Sequence, residues 1–230
     1  MSDRSAGWAG ILCVIAVAIA LFLPGPALPS AADSGTAIAT FIADHNFAWM
    51  LGAWLTFPEM VFFLWFAVAL RNVLIRNGAG GGGLPLYMLG GAIATIAAGL
   101  IATTLQVVLG IVPSQELGVI QTKTLYVGWL VSGVPVLFMP LAMMQFAATL
   151  GMQKYALAPS WLTGIGYAGA AVSAIATVTT FYAAGVMALN GPVGYLAFFI
   201  FALWVVLVSL RLISRHRSET IGVFSKKSGL

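Results

Sequence analysis

WLTFPEMVFFLW, residues 54–65, lies in the middle of an apolar run and carries one proline and one carboxylate. With FAWMLGA before it and FAVAL after it, the run extends from about residue 47 to 70, and Glu59 is its only charged side chain. An α-helix rises 1.5 Å per residue, so about 20 such residues cross a hydrocarbon core of about 30 Å. This segment therefore reads as a membrane span. The fold then depends on how many others accompany it.

Five more runs qualify, giving spans at about 8–23, 47–70, 86–112, 125–150, 161–187 and 193–213. The chain is 61% hydrophobic and 7% charged, with a mean hydropathy of +1.02, where a soluble domain carries roughly 25% charged residues. No series of alternating apolar and polar residues marks a membrane barrel. The expected fold is an all-α polytopic bundle of six transmembrane helices, one integral membrane domain over residues 1–230 with a basic tail at 214–230. Pro24, Pro26 and Pro29 end the short first span. The motif LPSAADS, near Ala32, has the small residues of a signal-peptide cleavage site, but a retained first helix is the favoured reading.

Lysine and arginine set the expected orientation. Arg4, Arg71, Arg76, Lys154, Arg211, Arg215, Arg217, Lys226 and Lys227 fall on one side of this threading and only Lys123 on the other, which places both termini in the cytoplasm. The pI near 9.5 comes from these topology signals, so it does not point to nucleic acid. On the outer side, SAADSGTAIATFIADHN allows a short interfacial helix capped by Asp33 or Ser34, with Ala37, Ile38, Phe41 and Ile42 on one face. The loop RNGAGGGGLP formally contains G-x-G-x-x-G at Gly78, Gly80 and Gly83. No strand precedes it, so it reads as a flexible linker.

Several chemistries are excluded by missing residues. His45 and His216 fall on opposite sides of the membrane and cannot share a metal or a haem, and no lysine lies mid-span to carry a Schiff base. There is no acidic cluster for a magnesium diphosphate, and no metal or cofactor is called for. The one cysteine, Cys13, reads as packing.

Glu59 remains. A charged group near midplane costs roughly 2.5–3.5 kcal/mol on insertion scales, and with no mid-span cation to pair with, the neutral or water-linked acid is the expected form. Thr56 and Gly52 share its face, one and two turns outward, and such small and polar faces turn towards other helices. Pro58 removes the backbone bond to the Trp54 carbonyl, and Pro135 and Pro140 free the carbonyls of Val131 and Val136 in the fourth span, beside Ser132 and Gly133. Thr103, Thr104 and Gln106 lie in the outer half of the third span, and Thr177, Thr179, Thr180 and Tyr182 in that of the fifth. The expected site is a cavity open to the outside, with Glu59 as floor, Met139, Met143 and aromatic side chains in the walls, and Thr56, Thr103, Gln106, Thr180 and Tyr182 as polar contacts. Gln145, further inward, reads as glue between helices.

The segments AIATFIADHNFAWMLGAWL, FLWFAVALRNVL and GPVGYLAFFIFALWVVLVSLRLISR resemble a widespread family of bacterial six-helix membrane proteins, a domain of unknown function. The resemblance implies a bundle in the bacterial inner (cytoplasmic) membrane and no reaction. The leading functional expectation is the binding or transport of a hydrophobic small molecule or lipid around Glu59. The alternatives are an accessory subunit in a homo- or hetero-oligomeric membrane complex, and an intramembrane enzyme of cyclase or isomerase type with Glu59 as general acid.

Overall fold

The computed structural model describes residues 3–23, 28–112, 114–182 and 185–227. Pro24 and Pro26, and the last three residues of the basic tail, lie outside them. The structure is all-α: α1 (Asp3–Phe22), α2 (Gly35–Asp44), α3 (Asn46–Arg76), α4 (Leu84–Ile111), α5 (Ser114–Val131), α6 (Leu137–Lys154), α7 (Ser160–Ala176) and α8 (Pro192–Lys227), with no strand among the described residues. Six segments are long and apolar enough to cross a membrane: Arg4–Phe22, Asn46–Arg76, Leu84–Ile111, Glu116–Lys154, Ser160–Phe181 and Pro192–Ser214. The protein is a multi-pass integral membrane protein built as a six-helix bundle.

The spans close into a ring in chain order. α1 packs on α3, α3 on α4, α4 on α6, α6 on α7, α7 on α8, and α8 returns to α1. Short connections at 77–83, 112–113 and 155–159 favour neighbours that are consecutive in the chain. Close approach is achieved through glycine, as is usual where lipid supplies no hydrophobic drive. A Cβ at Gly91 on α4 would stand 2.7 Å from both the Met144 amide nitrogen and the Pro140 carbonyl oxygen of α6. Gly7 and Gly10 give α8 the same access to α1, against Ser209 and Ile213.

The fourth span is bent. α5 and α6 are joined by a π-helical turn, Ser132–Val136, with Pro135 inside it. Proline lacks the N–H that an α-turn needs, and the wider π turn absorbs the fault. α3, by contrast, runs through Pro58 without a break. The fifth span is shorter at its C-terminal end than the expected 161–187. α7 stops at Ala176 and a 3-10 turn, Thr177–Phe181, replaces it. The cause is local: the hydroxyls of Thr177, Thr179 and Thr180 donate to carbonyls three residues back, at 2.6–2.7 Å, which tightens the turn. Ala183 and Ala184, within the expected span, lie outside the described residues.

The end of the bundle that carries α2 is tied together by polar side chains. Ser34 caps α2 through its hydroxyl, which accepts from the Ala37 amide at 3.1 Å, and Ile38 and Ile42 are buried against the bundle. Tyr126 donates to the Pro29 carbonyl at 2.7 Å and Asn190 to the same oxygen at 3.0 Å. At the opposite end the glycine loop is compact, with a 3-10 turn at Ala79–Gly81, a left-handed Gly78 (φ 105°) and a buried Ala79.

Candidate functional site

The stripe that contains Glu59 faces the middle of the ring. Trp49, Gly52, Thr56, Glu59, Met60 and Phe63 recur at helical spacing on α3 and line one wall of a central cavity of about 250 Å³. α4 supplies a second wall with Thr95, Gly99, Ala102, Thr103 and Gln106. Cys13, Val17 and Leu21 of α1, Phe138 and Leu141 of α6, and Phe198 and Phe201 of α8 close it. Five spans contribute and α7 contributes nothing.

From Trp49 to Phe63 the cavity follows α3 for roughly 20 Å at the helical rise. Leu28, Gln106 and Trp129 mark the end near α2; Thr95, Phe63 and Leu141 mark the other. Glu59 lies in the wall towards that second end, with Phe63 one turn beyond it, so it is a wall residue and not the floor.

Most polar groups in the wall are already engaged. The hydroxyls of Thr56, Thr95 and Thr103 donate to the carbonyls of Gly52, Gly91 and Gly99 in their own helices, at 3.2, 2.8 and 2.9 Å. Gln106 and Trp49 clasp α4 to α3 reciprocally: the Gln106 amide nitrogen donates to the Trp49 carbonyl at 2.9 Å, and the Trp49 indole N–H to the Gln106 carbonyl at 2.8 Å. Trp49 is fully buried and lies 4.7 Å from Trp129, centroid to centroid. Glu59, half-buried, has no hydrogen bond or ion pair with any described residue. No lysine, arginine or histidine lines the cavity.

Of the residues expected at the site, Glu59, Thr56, Thr103 and Gln106 are brought together. Met139, Met143, Thr180 and Tyr182 are not among the lining residues. Met139 is 55% exposed on the outer face of α6, a quarter-turn from Phe138. Thr180 and Tyr182 sit beyond the end of α7, exposed, on the one span that does not reach the cavity. Aromatic side chains were expected in the walls, and Trp49, Phe63, Trp129, Phe138, Phe198 and Phe201 are there. The expectation passed over Cys13 and Thr95. Thr95, Gly99, Ala102, Thr103 and Gln106 form a small and polar stripe at helical spacing, a pattern readable in the sequence.

A second polar set lies where α6, α7 and α8 meet. Gln145, Thr149, Ser173 and Trp204 are fully buried, and the Gln145 amide, both hydroxyls and the indole nitrogen have no hydrogen-bond partner among the described residues. Gly166 and Gly169 of α7 leave room for them, since a Cβ at either would collide with Thr149 or Gln145. Trp204 lies edge-on to Phe66 (89°, 6.4 Å) and 6.1 Å from Phe201, which separates this set from the cavity. No metal-holding group of histidine, cysteine, aspartate or glutamate occurs among the described residues. Compared with protein-family models, curated proteins and solved structures, the chain has no match.

Proposed function

We propose that this membrane protein binds a hydrophobic small molecule, or the chain of a lipid, in the central cavity beside Glu59, and carries it within or across the membrane. The cavity is the observation that supports the reading. It is lined mainly by apolar and aromatic side chains with Glu59 as its one acid, the lining expected of a site for an apolar molecule. The wall favours binding over catalysis. A general acid needs a second group to steer charge or take back a proton, and the hydroxyl protons of Thr56, Thr95 and Thr103 in the wall are bonded to their own helices.

We place the protein in the bacterial inner membrane with both termini cytoplasmic. Nine of its ten lysine and arginine residues fall on that side of the threading.

The test fills the cavity. Ala102 is in the wall, and Ala102→Phe adds a ring to the void. Native mass spectrometry of protein extracted in mild detergent is expected to show a co-purified apolar molecule on the wild type and none on Ala102→Phe, with the variant equally or more stable. A wild type that carries nothing, together with unchanged uptake of an apolar probe by the variant, would refute the reading.

A further inference from the structure

Resting on the reading of the cavity as a binding site, we infer that its ligand class is the lipophilic cation, a quaternary ammonium held between Glu59 and the aromatic wall. Three observations converge. The first is charge. Glu59 is the one acid in the wall, with no basic residue beside it and no bond to any described residue. An anionic ligand would meet no counter-charge there and a carboxyl group opposite. A cation supplies the counter-charge whose absence favours the neutral acid, so its binding draws Glu59 into the carboxylate form, with release of the proton, and pairs with it.

The second is the aromatic lining. Phe63, Phe138, Phe198 and Phe201 come from α3, α6 and α8, so they surround the space on several sides, while Trp49 and Trp129 line the other end, about 15 Å along α3 from Glu59, where an alkyl tail would lie. Ring faces carry negative quadrupole density, and aromatic cages are the recurrent receptors for quaternary ammonium groups. Phe63 is one helical turn from Glu59, which brings ring and carboxyl to the same part of the cavity.

The third is hydrogen-bond supply. With the hydroxyl protons of Thr56, Thr95 and Thr103 and one Gln106 N–H engaged, the wall offers few free donors to a ligand rich in carbonyls. A quaternary ammonium has neither donor nor acceptor and loses nothing. Size agrees as well. A cavity of about 150 Å³ admits benzene, so 250 Å³ holds roughly ten non-hydrogen atoms.

The experiment compares two molecules of that size and one shape, hexyltrimethylammonium and its carbon isostere 2,2-dimethyloctane. Each is dosed at equal mole fraction into purified protein in a neutral detergent, and binding is read from the rise in the thermal unfolding midpoint. The cation is expected to bind at least about tenfold more tightly than the alkane. Glu59→Gln is expected to bring the two within about twofold of each other by weakening the cation alone. If the alkane binds the wild type as tightly as the cation, the cation inference fails and the binding cavity stands. If neither shifts the midpoint, both fail. Should Glu59→Gln not fold, the wild-type pair decides alone.

Discussion

The reciprocal clasp between Trp49 and Gln106 permits a sharp energetic prediction. Gln106→Leu removes the donor that reaches the Trp49 carbonyl at 2.9 Å, and Trp49→Phe removes the indole N–H that reaches the Gln106 carbonyl at 2.8 Å. Both carbonyls sit inside helices, in α3 and α4, and so keep an i+4 backbone donor when the side-chain bond is lost. Neither substitution leaves a buried acceptor orphaned. Gln106→Leu is therefore expected to cost only the net worth of one membrane hydrogen bond, about 0.6 and at most about 1.7 kcal/mol. Trp49→Phe adds lost contact with Trp129 and Tyr126 and should cost about 2 kcal/mol. Because each bond holds the register that the other needs, the double variant should fall short of the sum by about 0.5–1 kcal/mol. Reversible unfolding in mixed micelles gives all three values. A cost above about 3 kcal/mol for Gln106→Leu would mean that an orphaned group had been created, and the account of shared carbonyls would be wrong.

Adjacent glycines on α4 should behave oppositely. Gly91→Ala drives a methyl into the backbone of α6 and is expected to cost about 1–3 kcal/mol, whereas Gly90→Ala meets nothing within 4 Å and should be neutral or stabilising in the same assay. Tyr126→Phe or Asn190→Leu alone leaves the Pro29 carbonyl one donor, so each should cost about 1 kcal/mol; together they should cost more than their sum. Additivity would show that water takes the vacated place. Reporters fused to either terminus should both signal from the cytoplasmic side, and a periplasmic signal from the C-terminal fusion would overturn the orientation.

Much of the fold was legible because a bilayer imposes one simple demand. Every buried backbone group must be satisfied within its own segment, so apolar length alone announces a helix. The six spans follow from that, as does the weak point in the fourth, where Ser132, Gly133 and Pro135 yield a π turn. The C-terminal end of the fifth span is shorter than its apolar length suggests, because hydropathy does not register that closely spaced threonines tighten a helix into 3-10 form.

The sequence by itself determined the class of protein and the inward face of α3. A carboxyl at membrane depth is too costly to point at lipid, and it shares its face with a glycine and a threonine. Tertiary structure alone decided which other residues join Glu59. Helix periodicity names the face on which a residue lies but not the neighbour that face meets. Thr103 and Gln106 were brought to the cavity because α4 packs beside α3. Thr180 and Tyr182, of the same chemical kind, were left outside because α7 closes the ring between α6 and α8, behind the space that Glu59 faces.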